Sequence, residues 1–144
     1  MCFYIHKDYP KAMIAKKDIK VYKTLMRDGA DYIAPVYPMI YKAGKLYKAS
    51  MVKIKPDDYS EQEVINEGLH SFSTFTAGLY EAQGRKLFLF IIPKGSKYYY
   101  NSDCEEYVSN KIIWTGKIWR TDRWIIAPKD ASTVSDKCYI RNKI

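Results

Sequence analysis

RKLFLFIIPKGSKYYYNSDCEEYVSNKIIW, residues 85–114, is the stretch of sequence that decides the fold. Residues 87–92 form an apolar run of strand length before Pro93, which predicts a strand over 86–92 that is buried on both faces. Residues 96–100 and 107–114 predict further strands on either side of a polar loop. The stretch therefore predicts core strands, with 87–92 and 108–113 paired, next to an exposed basic turn.

Outside this stretch, the chain alternates between strand patterns and turn residues. Residues 18–25 alternate and predict a strand, whereas 28–38 contain glycine and prolines and predict an irregular connection. Residues 39–41 and 46–54 predict a hairpin around the turn at 42–45, where Gly44 supplies a positive φ. Residues 60–66, with early acidic side chains, predict a short helical turn.

The strongest helix pattern covers residues 73–83. Ser71 or Ser73 caps its beginning, and Gly84 stands where a left-handed residue ends a helix. Beyond 114, turns at 115–116 and 121–122 separate short strands at 117–120 and 123–127. One or two short helices and many short strands predict an α+β fold, a single domain with a mainly antiparallel β-sheet.

The length of 144 residues fits one domain, 1–144. We divide it into an N-terminal segment (1–17), a core (18–113), a basic tryptophan-rich hairpin extension (114–129) and a C-terminal tail (130–144). No apolar run is long enough for a membrane helix. Residues 1–6 lack the pattern of a signal peptide, so we expect a cytoplasmic protein without a membrane partner.

Cysteine and histidine content argues against metal and disulfide sites. The three cysteines, Cys2, Cys104 and Cys138, are far apart, and the chain has two histidines, His6 and His70. We therefore expect no metal and no cofactor. The net charge of +8 and the fourteen tyrosines instead favour an anionic partner and stacking contacts, although a solvated lysine surface over a tyrosine-rich sheet explains the same composition.

Two segments are candidates for a binding surface. WTGKIWRTDRW, residues 114–124, interleaves aromatic and cationic side chains in the way that nucleotide and single-strand binding surfaces do. Inward packing of the tryptophans is the structural alternative. The second segment is the 94–97 turn, whose backbone amides and lysines suit an anion, although a plain hairpin is the preferred interpretation of the turn; three tyrosines follow it. The predicted binding residues are Lys94, Lys97, Tyr98, Tyr99, Tyr100, Lys117, Trp119, Arg120, Arg123 and Trp124.

A catalytic set is harder to find. Glu105 and Glu106 are adjacent, so on an extended backbone their carboxylates point apart, and a solvated loop is the preferred interpretation. His70 titrates near neutral pH but has no nucleophile beside it in the sequence. We interpret it as a hydrogen-bonding residue near the helix cap, and we expect no catalytic residues.

Several segments together carry a resemblance over residues 18–113. They are DIKVYK (18–23), GKLY (44–47), EGLHS (67–71), IPKGSKYY (92–99) and EYVSNKII (106–113). In these segments the chain resembles small proteins of bacteriophages and mobile elements, a group without an established activity. The resemblance implies a phage-type accessory protein in the cytoplasm of a host bacterium, for which inhibition of a defence system is a natural role.

The order of elements is also similar to the core of ADP-ribosyltransferases, which place an early Arg or His, a middle Ser or Tyr and a late Glu around NAD. Here Tyr22 or a lysine, the turn at His70 and Ser71, and the Glu105–Glu106 pair stand in that order. This resemblance implies an NAD-using transferase, either active or degenerate, in which the Glu-x-Glu spacing is missing.

The preferred function is therefore a non-enzymatic, phage-type inhibitor of a bacterial defence system. Its predicted partner is a nucleic acid, a nucleotide signal or a host defence protein that handles nucleic acid. Two alternatives are the ADP-ribosyltransferase-like enzyme and a small virion or assembly component.

Overall fold

The computed structural model describes residues 3–28, 31–33, 39–55, 62–82, 86–120 and 123–126, with the backbone alone at 26–28, 31–33, 80–82 and 120. One helix, α1 (Phe75–Ala82), lies in these ranges. The strands are β1 (Phe3–Tyr4), β2 (Met13–Ile14), β3 (Ile19–Thr24), β4 (Met26–Asp28), β5 (Asp31–Ile33), β6 (Ile40–Tyr41), β7 (Leu46–Lys48), β8 (Met51–Ile54), β9 (Val64–Glu67), β10 (Leu69–Phe72), β11 (Leu87–Ile92), β12 (Lys97–Asn101), β13 (Glu106–Ser109), β14 (Lys111–Arg120) and β15 (Arg123–Ile126).

The described strands form three sheets in which the pairs are antiparallel. The main sheet has nine strands, in the order β15-β14-β11-β3-β10-β13-β12-β2, with β7 added to the free edge of β14. Two three-stranded sheets, β1-β9-β8 and β4-β5-β6, complete the arrangement. The structure therefore confirms a mainly antiparallel β fold with a short helix.

The apolar run at 87–92 is the central strand, β11, of the main sheet. β11 pairs with β3 on one side and with β14 on the other. Phe88, Phe90 and Ile92 are fully buried in the larger core cluster, where they pack with Trp114 of β14. Leu87 and Leu89 are buried on the opposite face. Burial on both faces explains why β11 shows no polar alternation.

A smaller core lies between the main sheet and the β1-β9-β8 sheet. Phe3, Ile65, Tyr99 and Val108 are buried together there, and Met51 packs against them. The chain passes between the two sheets at Glu67 and Gly68, which have φ angles of 66° and 85°. This bend joins β9 in one sheet to β10 in the other.

Helix α1 lies on the face of the main sheet opposite the larger core. The Thr74 hydroxyl accepts a hydrogen bond from the Ala77 amide at 3.1 Å, so Thr74 is the N-cap, rather than Ser71 or Ser73 as predicted. A Cβ on Gly78 would stand 2.9 Å from Leu87 Cδ1 and 2.9 Å from Tyr22 Cβ. Glycine therefore allows the helix to approach the sheet closely, which explains its presence inside a helix.

Several predicted elements differ from the structure. Residue 28 ends the strand 26–28 and residues 31–33 form another strand, although 28–38 was predicted to be an irregular connection, and 64–66 belong to a strand instead of a helical turn. The 42–45 turn is present, but β6 pairs with β5, and β7 pairs with β14, so no hairpin forms between them. Residues 115–116 are a bulge within β14, which continues from Lys111 to Arg120.

The predicted division at residue 114 also falls inside a strand. Trp114, Ile118 and Ile125 belong to the larger core, so β14 and the described part of β15 are integral to the main sheet. Val108 lies in β13, which pairs with β10 and β12, whereas Ile113 pairs with Ile91 of β11. Of residues 108–113, which were predicted to pair with 87–92, Ile113 alone has a partner in β11. The 121–122 turn, residue 127 and the tail at 130–144 lie outside the described residues, as do residues 60–61 and Gly84.

Candidate functional site: a lysine cleft

Three lysines from three different strands meet at one open cavity of about 510 Å³. They are Lys48 at the end of β7, Lys97 at the start of β12 and Lys111 at the start of β14. The remaining lining residues are small, polar or apolar: Ala49, Ser50, Met51 and Asn110. We call this cavity the lysine cleft. Its lining contains three cationic groups and no carboxylate.

Asn110 holds the three sides of the cleft together. Its side-chain Oδ1 accepts a hydrogen bond from the Lys97 amide at 2.9 Å, and its own amide donates to the Lys97 carbonyl at 3.0 Å. Its carbonyl accepts from the Ala49 amide at 3.0 Å. Asn110 stands where β13 ends and β14 begins, so one residue joins β12 to the connection between β7 and β8. The positions of the lysine backbones are therefore fixed by the sheet.

The electrostatics of the cleft are unusual. Lys48 and Lys111 are direct cross-strand partners in the β7–β14 pair. Directly opposed like charges destabilise an antiparallel pair. Among the residues that the structure describes, none forms an ion pair with Lys48, Lys97 or Lys111, and the carboxylate nearest in register, Glu67, pairs with Met51 on β8. The cleft therefore concentrates positive charge that the described residues do not neutralise.

The predicted anion-binding turn at 94–97 is organised differently. The Lys94 amide donates to Asp18 Oδ1 at 2.9 Å, and the Gly95 amide donates to the Ala15 carbonyl at 2.8 Å. The Ser96 amide donates to the Pro93 carbonyl at 3.1 Å. These amides have partners within the protein, so they are not available to surround an anion in this structure. The Lys94 and Lys97 side chains are exposed, and Lys97 alone of the predicted residues lines the cleft.

The three predicted tyrosines alternate in direction, but they mainly pack. Tyr99 is 9% exposed and belongs to the smaller core, which corrects its prediction as a binding residue. Tyr98 and Tyr100 are half-buried on the other face of β12. Their ring centroids lie 5.5 Å and 5.0 Å from that of Tyr107. Burial, and then the neighbouring Tyr98 and Tyr100, raises the pKa of Tyr107. The tyrosine row is therefore chiefly a packing feature.

The tryptophan-rich segment divides between the two faces of the sheet. Trp114 is fully buried in the larger core, whereas Trp119 and Trp124 are half-buried on the helix side. Their centroids are 5.5 Å apart, and Phe75 of α1 lies 4.9 Å from Trp119. Tyr22 stands 6.2 Å from Trp124. We call Tyr22, Phe75, Trp119 and Trp124 the aromatic cluster.

The cationic residues of this segment flank the aromatic cluster. Lys117 is half-exposed and Arg123 is exposed, while the side chain of Arg120 lies outside the described part of the chain. The predicted binding residues divide between two places. Lys97 lines the lysine cleft together with Lys111 at the start of β14, whereas Trp119 and Trp124 lie where β14 pairs with β15.

Lys48 and Lys111 were not among the predicted binding residues, although alternation along the strand indicates that Lys111 faces away from the buried Ile112. The missing information was topological. β7 and β14 are far apart in the sequence, and nothing in either segment indicates that they pair. A lysine opposite a lysine becomes visible only when that register is known.

A second group of polar residues, Lys23, His70, Ser71 and Glu106, is largely buried on the neighbouring strands β3, β10 and β13, and we call it the buried polar group. His70 Nδ1 donates to Glu106 Oε1 at 2.7 Å, so Glu106 is a paired strand residue, and the prediction of a solvated loop is wrong for it. Lys23 donates to the His70 carbonyl, and its ammonium lies 5.5 Å from the centre of the Tyr41 ring. Burial lowers the pKa of Lys23 to about 8, against the opposing effect of the Glu106 charge.

This polar group lacks an activated nucleophile. Cys104 Sγ lies 3.7 Å from Glu106 Oε2, and burial, with the charge and hydrogen bond of Glu106, raises the pKa of the thiol to about 11. The thiol is therefore protonated at neutral pH. His70 Nε2 and Ser71 Oγ are buried and have no hydrogen-bond partner among the described residues. Lys23 and Ser71 are 8% and 1% exposed, which leaves little access for a dinucleotide.

Comparisons with protein-family models, with curated proteins and with solved structures gave no match. The resemblances to phage proteins and to ADP-ribosyltransferases therefore stay predictions. In the described ranges, no helix has the length and apolarity to cross a membrane. No group of three or more His, Cys, Asp or Glu side chains that could hold a metal ion occurs there either.

Proposed function

We propose that this protein is a non-enzymatic binding protein that captures a phosphate-bearing ligand, a nucleic acid or a nucleotide, in the lysine cleft. The observation that carries the proposal is the convergence of Lys48, Lys97 and Lys111 on one cavity that no carboxylate lines. A phosphate oxygen accepts hydrogen bonds from ammonium groups and neutralises them. Ligand binding would therefore relieve the repulsion between the lysine side chains.

The size and polarity of the cleft support the same ligand class. A volume of about 510 Å³ lies within the range of small-molecule sites, roughly 300–1,000 Å³. Ser50 and Asn110 add uncharged polar groups to the cationic wall, and Met51 adds an apolar surface. This combination suits a ligand that has both phosphate and a less polar base or sugar.

The buried polar group supports binding rather than catalysis. A general base must reach the proton that it removes, and a cysteine nucleophile must be a thiolate. His70 is occupied by Glu106 on one nitrogen and buried on the other. The raised pKa of Cys104 opposes thiolate formation. These observations favour a stabilising role for the group.

The biological part of the proposal is supported by the sequence resemblance to phage and mobile-element proteins. In this proposal the chain acts in the cytoplasm of a host bacterium as an inhibitor of a defence system. Capture of a nucleic acid or a nucleotide signal would withhold the molecule that such a system recognises. A nucleic-acid-handling defence protein is the other predicted partner, and the lysine cleft would then meet an acidic surface on it.

The direct test is a titration of the purified protein with fluorescent single-stranded DNA, duplex DNA, RNA and a nucleoside triphosphate at several salt concentrations. The test variant is Lys48→Gln/Lys97→Gln/Lys111→Gln. Its matched control is Lys7→Gln/Lys11→Gln/Lys55→Gln, which removes the same charge from exposed residues that do not line the cleft.

For a nucleic-acid ligand, binding should weaken steeply with salt, and the cleft variant should reduce the slope of log K against log [salt] by about 2. The control variant should keep most of the affinity and of the slope. The proposal fails if none of the four ligands binds, or if the control and cleft variants lose affinity equally. The second outcome would mean that net charge alone attracts the ligand.

A further inference from the structure

One face of β14 connects the lysine cleft to the aromatic cluster. Ile112, Trp114 and Ile118 point into the larger core. Their neighbours Lys111 and Ile113, and after the bulge Lys117 and Trp119, therefore point to the opposite face. Because β11 runs without interruption along this strand and places Phe88 and Phe90 in the same core, both halves of β14 share that outer face.

Cross-strand partners extend this face to either side. Lys111 pairs with Lys48, Ile113 pairs with Leu46, and Trp119 pairs with Trp124. Leu46 and Ile126 are 41% and 40% exposed, so this face is open to solvent along β7 and β15, whereas Leu87 and Leu89 of β11 are buried on it. The face thus begins at the lysines and ends at the tryptophans.

The strands that form this face carry charge of one sign. None of the residues of the five neighbouring strands β3, β7, β11, β14 and β15 is acidic. Lys20 of β3, which pairs with Ile91, adds an exposed cation beside the face. A polyanion lying along these strands would meet their cations and no carboxylate that belongs to the strands themselves.

We infer that this face is a track for single-stranded nucleic acid, with phosphates in the lysine cleft and a base stacked on the Trp119–Trp124 pair. The inference rests on the proposed function and narrows its ligand class. Single-strand binding surfaces combine a cationic path with aromatic side chains on which bases stack. A duplex keeps its base faces inside its own stack, so the half-buried tryptophans favour a single strand.

The track also predicts a length. Lys111 and Trp119 are eight residues apart on β14, at most about 26 Å at 3.3 Å per residue. A stacked strand advances about 3.4 Å per phosphate, so about eight nucleotides connect the two ends. Shorter oligonucleotides would reach the lysines or the tryptophans, but not both.

The experiment measures binding of oligothymidines of 4, 8 and 12 nucleotides, with oligouridines of the same lengths to separate DNA from RNA. Tryptophan fluorescence gives a second readout that needs no variant, because a stacked base quenches it. We expect affinity per molecule to rise sharply between 4 and 8 nucleotides and little thereafter. We expect quenching with the 8-mer, and weaker quenching with an 8-mer that is abasic throughout.

The variants are Trp119→Ala and Trp124→Ala, with Tyr4→Ala as the matched control because Tyr4 is 58% exposed on a different sheet. Each tryptophan variant should weaken binding of the 8-mer roughly tenfold and leave binding of the abasic 8-mer unchanged. Trp119→Phe keeps an aromatic ring in the cluster, and it should bind the 8-mer within a few-fold of the natural chain. If Trp119→Ala does not fold, Trp124→Ala and the fluorescence quenching of the natural chain provide the test.

Failure of the track and failure of the proposed function give different results. If the oligonucleotides bind through the lysine cleft without a length step and without quenching, the track is wrong and the proposed function stands. Tighter binding of duplex than of single strands, or binding of the nucleoside triphosphate alone, also overturns the track. If none of the phosphate-bearing ligands binds, both are wrong.

Discussion

Lys48 and Lys111 face each other directly across the β7–β14 pair, with Lys97 on the same cavity. Opposed like charges lower the stability of an antiparallel pair, and replacing either lysine with an acidic residue would remove the repulsion. The arrangement therefore reduces stability locally and offers an anion-binding surface in return. Such a conflict between local stability and charge arrangement is typical of functional sites.

The first prediction uses this conflict. Lys111→Glu converts the repulsion with Lys48 into an attraction, so the free energy of unfolding should rise, by on the order of 1 kcal/mol or less because the pair is partly exposed. The same change should weaken binding of a phosphate-bearing ligand, since it places a carboxylate in the cleft. Urea denaturation and a binding titration on the same sample measure both effects.

Lys111→Gln is the control for this prediction, because it removes the repulsion without adding an attraction. Its stability should lie between those of the natural chain and Lys111→Glu. If Lys111→Glu is less stable than the natural chain at low salt, the two side chains do not interact as their register indicates. High salt should reduce the difference between the variants.

Local sequence patterns predicted the elements whose environment is uniform. The apolar run of β11 and the alternation of β3 specify buried strands by themselves, and the structure confirms both. The patterns failed where the pairing between strands determines the local structure. Thr115 and Gly116 read as a turn, but Phe90 pairs with Trp114 and Leu89 pairs with Lys117, so the two residues are accommodated as a bulge. A bulge and a turn use the same residue types.

The candidate site was less predictable than the fold. Lys97 was correctly predicted to lie in an exposed basic turn. The cleft, however, depends on the pairing of β7 with β14, which are far apart in the sequence, and the local sequence of neither strand predicts that pairing. His70 and Glu106, 36 residues apart, likewise meet only because β10 pairs with β13.

The second prediction concerns Lys23, whose pKa falls from 10.5 to about 8 on folding because the side chain is buried. Between these two values the unfolded chain binds a proton that the folded chain has released. The contribution of Lys23 to stability should therefore rise with pH from about 8 to 10.5, and it is lost below pH 8. The total change is on the order of 3 kcal/mol.

The measurement compares the free energy of unfolding of the natural chain and of Lys23→Met across pH 7–11. The difference between the two free energies isolates the contribution of Lys23. Tyr41, Cys104 and Tyr107 are present in both proteins, and their raised pKa values lower the stability as the pH increases. Lys23→Met should be relatively more stable at pH 7 than at pH 10.5. A difference that does not change with pH would mean that the ammonium is not desolvated in the folded protein.

The third prediction concerns the thiol of Cys104. With a pKa of about 11, its thiolate fraction at pH 8 is roughly two orders of magnitude below that of a free cysteine. Iodoacetamide should therefore react slowly with Cys104 in the folded protein. Glu106→Gln removes a charge and a hydrogen bond that raise this pKa, so the reaction should accelerate, about tenfold for each unit by which the pKa falls.

Alkylation is followed by mass spectrometry in a Cys2→Ser/Cys138→Ser background, so that Cys104 is the only thiol. Glu105→Gln is the matched control because it removes a neighbouring charge that is absent from the causes of the shift. It should leave the rate nearly unchanged, provided that both variants keep the thermal midpoint of the parent. Equal acceleration by the two variants would assign the effect to loosening of the loop.

The fourth prediction tests the bend between β9 and β10. Gly68 has a φ of 85°, and a Cβ at this position would stand 2.5 Å from Val108 Cγ2 in the smaller core. Gly68→Ala should therefore combine backbone strain with a steric clash and destabilise the protein by about 2–4 kcal/mol.

Gly44→Ala is the control, because Gly44 has a φ of 76° but no atom within 4 Å of the added Cβ. Gly44→Ala should lower the free energy of unfolding through backbone strain alone, by about 1–2 kcal/mol. Urea denaturation measures both variants, and equal losses would show that Val108 yields to the methyl group and that the bend tolerates a side chain.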